Sequence, residues 1–260
     1  MTTDVLLAVP NISEGRDLER VARIAGTDAL LDVHSDRDHN RSVLTYGGAP
    51  EDVIRAVVAM VGRAVSEIDI TKHEGVHPRF GAVDVLPLVC HRLSEHDVVK
   101  LAGQLIWSLA QGPGVPVYPY GLAGPDQRSL PELRRWLRET DQPSHPTAGV
   151  ICLGVREPLV AFNVNVDAPL GEARQIAREI RRPEIRALGF PLPSRGLVQI
   201  SLNLVEPQNI GPRTAFDLVD ARGVQIIDCE VVGLVPADMK DQFDDLPVRA
   251  PVRSVEEALG

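Results

Sequence analysis

The second half of the chain spells out an order of elements that few folds can accommodate. Leu159–Val166 reads as a strand, and Leu170–Arg181 recurs at helical spacing until Pro183 stops it. Ile185–Gly189 and Leu197–Leu204 are two strands joined by a Pro-Ser-Arg-Gly turn. Pro212–Ala221 is a helix closed by Gly223, and Gln225–Val232 is a final strand. The order is β-α-β-β-α-β, the split βαβ or ferredoxin-like unit. The first half opens in the same order: a strand at Val5–Val9, a helix through Leu18, Val21, Ala22 and Ala25, strands at Ala29–Ser35 and Asn40–Tyr46, a helix opened by Pro50, and a strand at Val83–Val89. It then adds a helix at Ser94–Gln111 with Ser94 as N-cap, a strand at Val115–Tyr120 and a polar helix at Ser129–Glu139. The expected fold is α+β, two ferredoxin-like α/β subdomains with mixed sheets, 1–158 and 159–260. Residues 140–149, TDQPSHPTAG, are a turn-rich candidate boundary, and the charged, proline-bearing stretch Asp241–Gly260 is expected to be partly mobile.

Composition narrows the function classes. A net charge of −9 argues against general binding to nucleic acid or an anionic membrane, while leaving room for a local basic pocket. Aromatics at 4% leave too few rings for a single-strand stacking platform. Cys90, Cys152 and Cys229 form no CxxC pair and read as buried thiols, which fits a cytoplasmic protein. The N-terminal apolar run is too short for a signal peptide, and no apolar stretch approaches a membrane span.

His73-Glu74-Gly75-Val76-His77 matches the H-E-x-x-H zinc-protease signature. That chemistry places both histidines on one face of a continuous helix. Gly75 lies inside the motif and Pro78 follows it, and both disfavour a helix here. The segment therefore reads as a polar, glycine-rich loop leading into the Val83 strand, with no metal expected. Histidines on such a loop titrate near neutrality and can move protons, although a turn-capping role suits the same pattern.

His73-x-Gly75-x-His77-Pro78-Arg79-x-Gly81-Ala82-x-Asp84-Val85 resembles the active-site loop of the glutamate formiminotransferase family, the formiminotransferase half of formiminotransferase-cyclodeaminase. The resemblance includes Val9-Pro10-Asn11-Ile12-Ser13-Glu14-Gly15, Leu31-Asp32-Val33, Asn40-Arg41-Ser42-Val43, Val115-Pro116-Val117-Tyr118-x-Tyr120-Gly121 and Ala161-Phe162-Asn163-Val164-Asn165, and runs over roughly residues 5–236. It implies transfer of a formimino group from N-formimino-L-glutamate to N5 of tetrahydrofolate, a co-substrate, by a homodimer whose subdomains face each other across a folate groove. It places the catalytic histidine at His77 and the folate contacts at His145, Pro146, Thr147, Ala148 and Gly149. The alternatives are another donor, such as formiminoglycine, or a non-catalytic folate-binding protein.

Further residues have two readings each. Asn11 after Pro10 suits either substrate binding or an Asx-turn. Asn40 and Arg41 lie in a strand; a charged strand residue usually faces water, but with the resemblance Arg41, like Arg79, becomes a candidate for a substrate carboxylate. Asn163 and Asn165 alternate with Phe162 and Val164, so they share a polar face that Asn203 extends, and they are candidates to line the site. Three departures from the family pattern stand out. His34 occupies the place of an aspartate that orients the catalytic histidine in some relatives, so either another carboxylate, Asp36 or Asp38, takes that task or the base is tuned differently. The connector before His145 is short, and no cyclodeaminase segment is present.

Overall fold

The computed structural model describes residues 4–77 and 79–260; Pro78 lies outside the described residues. The chain forms two compact units, 1–157 and 158–260.

In the first unit, β1 (Leu6–Ala8) and β2 (Asn11–Ile12) act as one strand interrupted at Pro10. Proline has no N–H for the ladder, and its carbonyl accepts Leu44 N–H instead. Then come α1 (Leu18–Ala25), β3 (Leu30–Asp36), β4 (Arg41–Gly48), α2 (Pro50–Glu67) and β5 (Val83–Val89). β1 and β2 lie between β4 and β5, antiparallel to both, and β3 flanks β4. The extension follows: α3 (Glu95–Gln111), β6 (Val117–Gly121), α4 (Leu130–Glu139) and β7 (Ile151–Arg156). β7 pairs in parallel with both β5 and β6, so the sheet is mixed. Helix starts are where cap chemistry puts them: Ser94 accepts Asp97 N–H, and Pro50 occupies the first turn of α2. Val53, Val57, Met60 and Val61 of α2 pack with Leu6, Leu44, Tyr46 and Leu86 in the core, while Val65 sits at its margin.

The second unit runs β8 (Val160–Asp167), α5 (Leu170–Ile180), β9 (Ile185–Leu192), β10 (Leu197–Leu204), α6 (Pro212–Asp220) and β11 (Gln225–Val231). Its antiparallel sheet has the order β11-β8-β10-β9. Counted along the chain this places the fourth strand beside the first and the third beside the second, the same order that β1/β2, β3, β4 and β5 adopt in the first unit. Two ferredoxin-like units with one topology result. Phe162, Val164, Val166, Ile200 and Leu202 face α5 and α6 in a separate core.

Two expectations are corrected. The 140–149 stretch does not divide the chain: it leads into β7, a buried inner strand of the first unit that the connector reading hides. The C-terminal stretch is packed rather than loose. A 3₁₀ segment at Ala237–Phe243 buries Met239 and Phe243, whose ring meets Phe162 edge-on, and Leu246 joins the same core. Ser254 and Glu257 then form a capping box on α7 (Val255–Leu259). The three cysteines are buried as free thiols. No helix among the described residues is long and apolar enough to cross a membrane.

Candidate functional site

The histidine loop starts where α2 ends. Asp69 caps a short 3₁₀ turn, Ile70–Lys72, through Thr71, and residues 73–77 are non-helical. The H-E-x-x-H string thus lacks the helix that a zinc protease needs. Among the described residues no group of three or more histidine, cysteine or acidic side chains could hold a metal ion.

What holds the loop is the turn between β3 and β4. Val76 N–H donates to Asp38 O, and Asn40 Nδ2 donates to Glu74 O at 2.9 Å. Asn40, with φ +47, also accepts Gly15 N–H on Oδ1, so one buried amide ties three segments together. Asparagine tolerates this left-handed conformation better than most residues. A Cβ on Gly75 would lie 2.4 Å from His39 O, so only glycine allows the approach. Arg79 completes the brace: its guanidinium donates to the carbonyls of His39 (2.6 Å), Asn40 (2.8 Å) and His77 (2.9 Å). Burial, with Arg41 nearby and against the pull of Asp84, brings its pKa down to about 10. Both Asn40 and Arg79 therefore have architectural work in the loop.

His77, half-buried, stands beside Arg41. Arg41 Nη1 lies 3.0 Å from His77 Nδ1 and 3.3 Å from Nε2. The far side of the guanidinium is held by Asn11, whose Oδ1 accepts from Nε at 3.0 Å and Nη2 at 2.8 Å. Asn11 Nδ2 in turn donates to Val9 O. Asp84 lies 3.7 Å from Arg41 Nη1, is buried, accepts Phe80 N–H at 2.8 Å, and pairs with Arg134 of α4. Burial lowers the Arg41 pKa, with Arg134 acting in the same direction and Asp84 opposing both. Asp36 has its carboxylate on the His39 N–H at 2.6 Å, and the His39 and His77 ring centroids are 6.0 Å apart.

The 145–149 segment is a tight turn stitched to the same loop. His145 and Gly149 exchange backbone hydrogen bonds, and His145 Nδ1 accepts Ala148 N–H at 3.0 Å and Thr147 N–H at 3.3 Å. Thr147 O accepts from Ile70, Ala148 O from Ala82, and Phe80 O from Val150. Gly149 has φ +66, and a Cβ there would meet Phe80 O at 2.1 Å. His77, Asn11, Asn40, Arg41, Arg79 and His145–Gly149 thus belong to one continuous set of segments, with Pro146 inside the turn.

Asn163 and Asn165 lie in the second unit, on the sheet face opposite its helices. Asn165 donates to Asp228 at 2.7 Å and accepts from Gln199 at 3.2 Å, while Asn163 reaches Glu230 at 3.4 Å. Arg195 and Arg249 pair with Asp228 and Glu230. Asn203 shares the parity of Gln199 but is exposed. Sequence reasoning missed Gln199, buried at 1% exposure, and Arg134. Period-two alternation through Gln199 could have flagged the first. Nothing in the string Arg134-Arg135-Trp136 distinguishes the buried arginine from its neighbour.

His73 gives a test of the loop's electrostatics. Burial first, then Arg79, lowers its pKa from 6.5 to about 4. Between those values the unfolded chain binds a proton that the folded protein does not, so stability falls as pH drops through this window. The melting temperature of the wild type is expected to fall more between pH 7 and pH ~5 than that of His73→Gln, whose side chain cannot protonate. Equal falls would remove His73 as the source. Glu14 and Asp228 have lowered carboxyl pKa values and contribute at more acid pH.

The architecture and the loop together define an α+β protein with a histidine, His77, held beside the guanidinium groups of Arg41 and Arg79. Residues 5–156 match the family described as "Formiminotransferase domain, N-terminal subdomain". The chain is 33% identical over 267 residues to a glutamate formimidoyltransferase of Streptococcus pyogenes serotype M1, covering 90% of this chain and 89% of the relative. It is 34% identical over 263 residues to a glutamate formimidoyltransferase of Thermoplasma acidophilum, covering 88% and 87%. With the formimidoyltransferase-cyclodeaminase of Sus scrofa it shares 32% identity over 267 residues, 88% of this chain but 49% of that protein, so it spans about half of that relative. The chain belongs to the formiminotransferase family.

Proposed function

We propose that the protein transfers the formimino group of N-formimino-L-glutamate to N5 of tetrahydrofolate, with His77 moving the protons. The supporting observation is similarity along nearly the whole of two glutamate formimidoyltransferases, together with a histidine loop held by Asn40, Arg41 and Arg79. In this reading the N5 amine attacks the amidine carbon. His77 takes the N5 proton and delivers a proton to the glutamate nitrogen as its C–N bond breaks, leaving 5-formimino-tetrahydrofolate and glutamate with no net proton change. Holding both substrates together supplies a separate entropic gain. Purified protein, tetrahydrofolate and a panel of formimino amino acids, including formiminoglycine, test it by chromatography of the folate product. Product with formiminoglutamate is expected. Folate binding without product from any donor would overturn the transferase reading.

The 145–149 turn is assigned to folate in the same reading. His145→Ala removes the ring nitrogen that holds Thr147 and Ala148 N–H. At ~1 kcal/mol for such a bond, the tetrahydrofolate Kd is expected to rise about fivefold, with the donor KM changing less. Equal effects on both substrates would count against the assignment.

A further inference from the structure

We propose that Arg138, seated over the ring of Phe80, receives the glutamate carboxylates of tetrahydrofolate and so selects the charged end of that co-substrate. The proposal deepens the reading above and rests on it for the identity of the ligand. Its geometry comes from the first unit alone.

Phe80 joins two parts of that unit. Its carbonyl accepts Val150 N–H, its N–H donates to Asp84, and Gly149 closes so tightly on it that a Cβ there would meet Phe80 O at 2.1 Å. The Phe80 backbone is therefore bonded to the segment that leaves the 145–149 turn. Its ring carries the guanidinium groups of Arg134 and Arg138, whose Cζ atoms lie 5.8 and 5.7 Å from the centroid. The chain between α4 and the turn is held as well. Thr140 Oγ1 donates to Trp136 O, and Tyr118 OH donates to Pro143 O at 2.8 Å. Arg138 thus has a defined place next to the turn assigned to folate.

The two arginines over the ring are not equivalent. Arg134 is largely buried, and Asp84 meets its charge. Arg138 is exposed, and among the described residues it has neither an acidic partner nor a hydrogen bond. The chain carries 36 acidic residues against 27 basic ones, so an arginine kept clear of every acid is not the default. Arg138 lies in the last turn of α4, where the helix dipole favours a cation. The dipole accounts for the charge but not for its place over an aromatic ring. A guanidinium stacked there keeps N–H groups free for an incoming anion, and its planar fork matches a carboxylate. The arginines nearer His77 are already committed. Arg41 holds Asn11 and lies beside Asp84, and Arg79 ends on backbone carbonyls.

The span of the ligand agrees with this placement. In tetrahydrofolate a p-aminobenzoyl group separates N5 from the glutamate carboxylates. The step from His77 to Phe80 is three residues, at most ~10 Å. A folate whose N5 meets His77 and whose middle passes the 145–149 turn brings its tail toward the ring that carries Arg138.

The test is equilibrium binding of two ligands: tetrahydrofolate, and its diamide with both glutamate carboxylates converted to carboxamides. The wild type is expected to bind tetrahydrofolate about fivefold more tightly than the diamide, the upper range for an exposed ion pair of good geometry. That margin should shrink as salt is raised. Arg138→Gln should weaken tetrahydrofolate about fivefold, to the level of the diamide, and leave the diamide unchanged. Arg138→Lys should recover part of the loss because it keeps the charge without the fork. The kcat at saturating folate and the donor KM should stay at their wild-type values. Equal loss of both ligands in Arg138→Gln overturns the proposal, since a structural effect does not read the carboxylates. So does a rise in donor KM in place of the folate Kd. Equal binding of both ligands by a wild type that makes product defeats the Arg138 assignment alone. The expected margin in a protein that makes no product upholds the assignment and defeats the transferase reading, and binding of neither ligand defeats both.

Discussion

His77→Ala is expected to lower kcat for formimino transfer by about two orders of magnitude or more, the usual worth of a positioned proton shuttle. The affinity for tetrahydrofolate should change far less, because the ring acts on protons in flight rather than on the bound ground state. His73→Ala is the informative companion. His73 has a pKa of about 4, so at pH 7 it is too weak a base to take the N5 proton readily, and its ring Nδ1 lies 3.4 Å from the Asn40 amide. Its loss should loosen the loop and cost several-fold in turnover, on the order of one lost hydrogen bond. Both variants must melt as folded proteins for the comparison to count. Abolished turnover in His73→Ala with near-normal turnover in His77→Ala would mean that the wrong histidine has been assigned. Normal turnover in both would leave the chain without the proposed acid–base chemistry.

Much of this arrangement is legible in the amino-acid string, for reasons that differ between elements. The strands and helices of the second unit announce themselves because each half-buried element repeats its own period: Phe162, Val164 and Val166 point one way while Asn163 and Asn165 point the other. The non-helical histidine loop follows from Gly75, whose missing Cβ is what lets the loop touch His39 O. β7 is harder to see. It is buried on both faces, so Ile151-Cys152-Leu153-Gly154-Val155 shows no alternation, and the turn-rich residues before it suggest an end rather than a crossover. The C-terminal stretch misleads in the opposite way. Its charges and prolines suggest looseness, but Phe243, Leu246 and Val255 are buried within it and Val248 and Val252 pack against the core. Within the site, the residue types of Arg41 and Arg79 suit carboxylate recognition, whereas they engage Asn11, Asp84, His77 and backbone carbonyls. Such commitments come from distant segments, Asn11 with Arg41 and Asp84 with Arg134, and no local pattern records them.

That cross-segment wiring carries the largest expected stability effect. Asp84 is 2% exposed and is the carboxylate partner that Arg41 and Arg134 share, while its other oxygen accepts Phe80 N–H. Asp84→Ala would leave two largely buried guanidinium groups without that charge and one N–H without its acceptor. Removing one member of a buried ion pair typically costs about 3–5 kcal/mol, because the remaining charge stays desolvated and unpaired. Urea unfolding should register a loss of that order. Asp84→Asn should cost less, since the amide oxygen can still accept from Phe80. A double variant separates the charge effect from simple loss of volume. Arg134 packs its cation over the Phe80 ring, at 5.8 Å from the centroid, and Arg134→Met keeps a stem of similar reach while removing the charge. If stranded charge is the cause, Asp84→Ala in the Arg134→Met background should cost markedly less than in the wild type. If the two losses simply add, Asp84 holds the loop through Phe80 N–H and packing alone, and the Asp84 link from α4 to Arg41 has no energetic substance.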